Sequence, residues 1–170
     1  NKLPGRRLYW RDFNMIYKIV NLDPHQHDFG PYLEKAMNGM EYEMIDKLCD
    51  NPGEILELTR DAHAIFAITT RLTAEIIGQL EQCIVIGRPG IGTDNVDHNA
   101  ATEHGIVVTY LPDFCIEEVA DHTLMMILAL YKKLVLLDKV VRNDQWSLDP
   151  VYPLKRLRGS VLGLVAFGNI

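Results

Sequence analysis

The chain has 170 residues, with 17 Lys+Arg against 23 Asp+Glu for a formal charge of −6, and 48% of its residues are hydrophobic and 24% charged. That composition excludes a disordered or collagen-like chain, and its acidic balance argues against general nucleic-acid binding. Three cysteines (Cys49, Cys83, Cys115) are too few and odd in number for a disulfide scaffold, so reduced thiols and a cytoplasmic address are expected.

Residues 1–15 read as a loose basic arm without the apolar stretch of a signal peptide. Residues 17–22, a run of Tyr, Lys, Ile, Val, Asn and Leu, predict a first strand. Pro31 suits the first turn of a helix that carries Leu33, Ala36 and Met37. Residues 42–45 predict a weaker strand. Asn51-Pro52 then opens a helix through Ile55, Leu56 and Leu58. Residues 64–68 predict a buried strand, and Thr73 caps a helix with Ile76, Ile77 and Leu80 on one face. Residues 83–86 and 106–108 predict two further strands, with a short helix between them from Asp97 to a stop at Gly105. His25-Gln26-His27 holds two histidines but no third ligand, so it reads as solvated rather than metal-binding.

Near-continuous apolar strands alternating with amphipathic helices predict an α/β fold: a flavodoxin-like, doubly wound parallel sheet over residues 16–111. Residues 116–142 predict one long helix, about 40 Å at 1.5 Å per residue. Glu117 and Glu118 in its first turn and Lys139 and Arg142 in its last suit the helix dipole. Its stretch 124–137 is apolar on nearly all faces, which predicts a subunit or domain contact. Lys132 and Lys133 interrupt that stretch, and it is too short to span a bilayer. Residues 161–170 read as a further buried strand entering a glycine turn that is cut off, so a piece of a longer protein is expected, with residues 112–170 as the start of a second domain.

The sharpest motif is Arg88-Pro89-Gly90-Ile91-Gly92-Thr93-Asp94-Asn95-Val96-Asp97, between a predicted strand and a helix. Two glycines flanking one residue let a ligand approach the backbone, and successive free N–H groups hold a carboxylate or phosphate. A tight turn with Asp94 and Asp97 capping the helix explains the same pattern, and local pattern alone does not choose.

Residues 84–170 resemble the D-isomer-specific 2-hydroxyacid dehydrogenases. The resemblance is carried by Gly90 to Asp97, by Ala100-Ala101-Thr102-Glu103-His104-Gly105-Ile106-Val107-Val108, by Pro112 with Glu117-Glu118-Val119-Ala120-Asp121-His122-Thr123, and by Leu157 to Gly163. Residues 16–83 fit the family's first domain more loosely. The 115–118 and 131–133 stretches look like its phosphoglycerate-dehydrogenase-like and C-terminal-binding-protein-like branch.

The resemblance implies an NAD-dependent oxidoreductase, with NADP not excluded, that interconverts a 2-hydroxy acid and a 2-keto acid. It implies that Gly90, Ile91 and Gly92 bind the substrate carboxylate. Ile91 and Thr123 would line the nicotinamide end, and Phe167, Gly168, Asn169 and Ile170 would begin the cofactor loop. The family's catalytic Arg, Glu and His would lie beyond residue 170, leaving this chain alone inactive. The resemblance also implies that residues 112–170 begin a truncated Rossmann, NAD-binding domain, with the 116–142 helix part of it and the subunit contact of a homodimer. It leaves open an NAD-gated protein-interaction module like the C-terminal-binding corepressors. Three positions depart from the family pattern. Ala166 stands where the first cofactor glycine belongs, Tyr110 where Asn is usual, and Ala67-Ile68 where some members carry Arg-Ser. Arg88 reads as a structural ion pair, His122 as a packed, hydrogen-bonded residue, and Cys115 as packing.

Overall fold

A computed structural model of the chain describes residues 15–25 and 28–170. Most of the expected arm, together with Gln26 and His27 of the two-histidine loop, lies outside the described residues. The chain divides into two compact units, with the division after Phe114.

The first unit is α/β, as its pattern predicts. Its elements run β1 (Tyr17–Asn21), α1 (Gly30–Met37), β2 (Tyr42–Asp46), α2 (Pro52–Thr59), β3 (Ala64–Phe66), α3 (Ala74–Ile77), β4 (Val85–Arg88), α4 (His98–Glu103) and β5 (Val107–Tyr110). All strand pairs are parallel, and the sheet order is β2-β1-β3-β4-β5. This is the flavodoxin-like order, in which the winding direction reverses between β1 and β3.

The register explains the core. Val20, Ile65, Ile86 and Val108 form one row across four strands. Val20, Ile65 and Ile86 are buried, and they pack with Ile55 of α2, Ile76 and Ile77 of α3 and Ala100 of α4. Each such side chain contributes on the order of 1.5–3 kcal/mol on leaving water. The opposite face carries α1, anchored by buried Leu33 and by the stacking of Phe29 on Phe66 at 4.4 Å. One helix does not cover that face, and Val107 stays 43% exposed.

Short-range signals set the helix ends. The Asn51 side chain accepts the Glu54 N–H (3.0 Å), and the Thr73 hydroxyl accepts that of Ile76 (3.4 Å), each meeting an orphan donor of a first turn. Gly105, at φ +68, follows α4 in the left-handed conformation that glycine adopts most readily. Each strand differs from its expected bounds by one or two residues at one or both ends, and β4 differs most. β4 runs over Val85–Arg88 rather than 83–86. β3 ends at Phe66 because the Ile68 N–H leaves the ladder to donate to Asp23.

The second unit differs more. The expected single helix over 116–142 is two helices, α5 (Ile116–Tyr131) and α6 (Leu134–Arg142). Lys133 sits between them at φ +53, a left-handed conformation that costs a non-glycine residue on the order of 1 kcal/mol. Its ammonium donates to the Val151 carbonyl at 2.6 Å, which helps hold the break. No glycine or proline marks this site, so helical periodicity ran through it. Within α6, Asp138 and Arg142 form the expected i,i+4 pair at 2.8 Å. The expected strand over 161–170 is absent. That segment has no strand partner among the described residues, and Val161, Val165 and Phe167 are nearly fully exposed. Without a neighbouring strand its apolar run has nothing to pair with.

None of the three cysteines is in a disulfide, and no described helix is long and apolar enough to cross a membrane.

His63, just before β3, carries a pH dependence. Its Nδ1 accepts the Lys18 N–H at 3.1 Å and is therefore the unprotonated nitrogen. Burial pushes this imidazole below its usual value of 6.5 and the Lys18 charge adds to that, while Gln82 and Asp61 oppose it. The unfolded chain thus binds a proton that the folded chain resists. The stabilisation is complete above pH 6.5 and declines as pH falls below it. Thermal unfolding between pH 8 and pH 5 is expected to show the midpoint falling across that window more steeply in wild type than in His63→Gln.

Candidate functional site

In a parallel sheet every strand ends at the same edge, so the loops after β1, β3 and β4 meet there. Two side chains organise them. The Asp23 carboxylate, after β1, accepts the N–H groups of Ile68 (2.7 Å), Thr69 (3.2 Å) and Thr70 (3.3 Å) and the Thr69 hydroxyl. Asn95 Nδ2 donates to the Thr70 carbonyl at 2.9 Å. The Leu72 N–H donates to the Asn95 carbonyl (2.8 Å) and the Asp97 N–H to that of Leu72 (3.0 Å), around a parallel bridge between Leu72 and Val96. The loops at 67–72 and 89–97 therefore form one hydrogen-bonded body.

Asp23 is almost fully buried. Burial disfavours its charge, but the Thr69 hydroxyl and the N–H groups of Ile68, Thr70 and Thr69 outweigh that and hold its pKa below the usual carboxylate value. Asn21, also buried, ties the same edge together. Its Nδ2 donates to Asp46 at the end of β2 (2.7 Å), and its Oδ1 accepts the Asp23 N–H (3.1 Å).

Among the described residues, the glycine loop keeps five successive N–H donors without a protein acceptor, at Ile91, Gly92, Thr93, Asp94 and Asn95. Ile91 and Gly92 are exposed at the strand-end edge. Gly90 lies under Arg88, and a Cβ on it would fall 1.4 Å from the Arg88 Nη1 position. The three nearest atoms that Cβ would meet all belong to the flexible Arg88 side chain, so a side chain at residue 90 would displace the guanidinium. Neither Gly90 nor Gly92 has a positive φ. A Cβ at residue 92 would meet only Asp94 Oδ1, at 3.0 Å.

The ion pair expected for Arg88 is not formed among the described residues, and its Nε is enclosed without a hydrogen-bond partner. Arg88 borders a cavity of about 310 Å³ lined by Phe29, Tyr32, Phe66 and Tyr110 among others. A second, polar cavity of about 350 Å³ lies among Arg71, Thr73, Asp94, Asp97 and His98. Neither is lined by Ile91 or Gly92.

The remaining expected site residues belong to the second unit. Thr123, on α5, donates its hydroxyl to the Val119 carbonyl one turn back, at 2.7 Å. Phe167, Gly168, Asn169 and Ile170 lie in the exposed terminal segment. Ala166 precedes them at φ +70, so the methyl at the first glycine position sits on a left-handed backbone. His122, expected to be packed, is exposed on α5 with no hydrogen bond among the described residues. Among the described residues no group of three or more His, Cys, Asp or Glu side chains is placed to hold a metal.

Sequence reasoning missed Asp23. The available signal was a carboxylate directly after a buried strand, followed by proline. It also treated Asp94 and Asp97 alike, whereas Asp97 alone caps α4, its Oδ1 accepting the Ala100 N–H at 2.9 Å. Asp97→Ala is expected to cost about 1 kcal/mol, while Asp94→Ala stays within about 0.5 kcal/mol of wild type. Urea unfolding of the two variants checks this.

The chain resembles known proteins over nearly all of its length. It is 30% identical over 157 residues to D-3-phosphoglycerate dehydrogenase of Archaeoglobus fulgidus, which covers 90% of this chain and 28% of that protein. It is 31% identical over 150 residues to glyoxylate reductase of Aeropyrum pernix, covering 84% and 45%. Among solved structures, the PH0520 protein of Pyrococcus horikoshii superposes with a TM-score of 0.63 at 26% identity, covering 84% of this chain and 42% of that one. The chain thus spans less than half the length of these relatives. A family model described as D-isomer specific 2-hydroxyacid dehydrogenase, catalytic domain, matches residues 19–165, and the chain belongs to that family.

Proposed function

We propose that the complete protein is an NAD(P)-dependent oxidoreductase that interconverts a 2-hydroxy acid and a 2-keto acid by hydride transfer. The observation that carries this is the run of unused N–H groups in the glycine loop, opening with the exposed pair Ile91 and Gly92, at the strand-end edge of a chain whose residues 19–165 match the family model. A carboxylate placed there accepts two backbone hydrogen bonds without displacing any protein acceptor. Relatives named D-3-phosphoglycerate dehydrogenase and glyoxylate reductase support the reaction class. In this reading Gly90 keeps the approach open, and Ile91 also lines the nicotinamide end of the cofactor.

Hydride transfer also needs a base for the hydroxyl proton, a carboxylate to orient that base, and a cation on the substrate acid. The resemblance assigns these to a His, a Glu and an Arg beyond residue 170. The segment 167–170 does not by itself hold a dinucleotide, since a Cβ on Gly168 would meet no atom within 4 Å. NAD or NADP therefore enters this reading from the family, with the first cofactor contacts at Phe167 to Ile170. The 170-residue chain alone is accordingly inactive in this reading.

The complete protein is tested with a panel of 2-keto acids and NADH or NADPH. Turnover of at least one acid is expected, and none across the panel overturns the reading. Gly92→Val places a side chain in the path of the carboxylate at an exposed position with ordinary backbone angles. The variant is expected to keep its stability within about 0.5 kcal/mol and to raise the keto-acid KM about tenfold or more.

The same reading makes the protein a homodimer. No residue of α5 is buried, and Leu124, Leu130, Leu134 and Val135 of the two helices are more than half exposed. Apolar surface of that extent is covered in stable soluble proteins, and two-fold pairing is the commonest way to cover it. Light scattering is expected to give a dimer mass for the complete protein, and monomers or aggregates for Leu130→Asp.

A further inference from the structure

The Asp23 carboxylate occupies the crevice where the sheet reverses its winding. β1 and β3 are neighbours there, and their chains leave in opposite directions, to α1 and α3. In doubly wound sheets such a crevice, with its ring of unpaired N–H groups, ordinarily takes a ligand. Here the ring is already filled from within. The N–H groups of Ile68, Thr69 and Thr70 all donate to Asp23, and the Thr69 hydroxyl joins them. Those amides are not available to a substrate. Unused donors lie one strand over, in the glycine loop that carries Ile91 and Gly92.

The Asp23 bonds also act at a distance. They hold loop 68–70, whose Thr70 carbonyl accepts Asn95 Nδ2, and whose continuation at Leu72 exchanges backbone bonds with Asn95 and Asp97. Asn95 and Asp97 close the glycine loop. A displacement at residues 68–70 is thus transmitted through two side-chain links to the segment that carries Ile91 and Gly92. We propose that Asp23 is a positioning residue for the substrate acid: by filling the β1/β3 crevice it moves the anion site to the glycine loop and sets the angle at which that loop presents its N–H groups.

The proposal rests on the functional reading above for the identity of the ligand, but its structural half does not. Amide hydrogen exchange on the complete protein tests that half without turnover. Asp23→Asn replaces an acceptor oxygen with a donor facing N–H groups. It is expected to speed exchange at Ile68, Thr69 and Thr70, and also at Leu72 and Asp97, by about tenfold or more, with β4 amides unchanged. Faster exchange confined to residues 68–70 overturns the coupling. Kinetics test the other half. Asp23→Asn is expected to raise the KM of the turned-over keto acid by about tenfold, with kcat within about threefold and cofactor affinity within about twofold. A merely structural role lowers the thermal midpoint and the active fraction and leaves KM unchanged, and that result overturns the proposal. Thr69→Val, which removes one bond of the four, serves if Asp23→Asn does not fold. It is expected to shift exchange and KM in the same direction by a smaller factor, and wild-type values in both overturn the proposal. Absence of turnover in wild type overturns the functional reading and the positioning role together, whereas wild-type turnover with an unchanged KM in the folded variant overturns the positioning role alone.

Discussion

An all-parallel sheet brings the carboxyl ends of its strands to one edge, and everything at the candidate site follows from how the loops there satisfy their backbone groups. A loop that turns over a strand end leaves N–H groups that water, a ligand or the protein must meet. In this chain most are met internally. Asp23 takes three amides and a hydroxyl, Asn95 takes one carbonyl, and backbone bonds through Leu72 take others. Those left over in the glycine loop, at residues 91–95 among the described residues, open with the exposed pair Ile91 and Gly92. A run of successive unmet N–H groups is a place for an anion.

The two faces of the sheet are unequal. α2, α3 and α4 close one face over a continuous apolar row, while α1 alone serves the other and leaves a cavity of about 310 Å³ beside Arg88. The second unit shows apolar surface of another kind. Its α5 buries none of its residues, although its side chains are as apolar as those of a core helix. The chain spans less than half the length of the relatives it matches. The apolar character of α5 is therefore a property of the sequence whose physical reason lies in what surrounds the helix.

Arg88 shows how a side chain takes its role from packing. Its charge finds no acidic partner among the described residues, and its guanidinium lies over Gly90. A glycine in a ligand loop is often ascribed to an unusual φ. Here neither residue 90 nor residue 92 has a positive φ, and in the proposed function what residue 92 leaves is space for a carboxylate.

Sequence alone determined the elements that depend on local chemistry. Alternating apolar strands and amphipathic helices gave away the parallel α/β class, and the caps at Asn51, Thr73 and Asp97 and the stop at Gly105 were each visible as a residue type at a helix end. The family was legible for a related reason, since the loop from Gly90 to Asp97 is contiguous in the chain. Tertiary structure decided what depends on residues far apart. Asp23 meets a loop some 45 positions away, so no window of sequence contained the contact. The break at Lys133 depends on the Val151 carbonyl, and the end of β3 at Phe66 on an Asp23 bond that draws Ile68 out of the ladder. The segment 161–170 makes the converse point: its apolar pattern is that of a buried strand, but a strand exists only when another offers its backbone, and among the described residues none does.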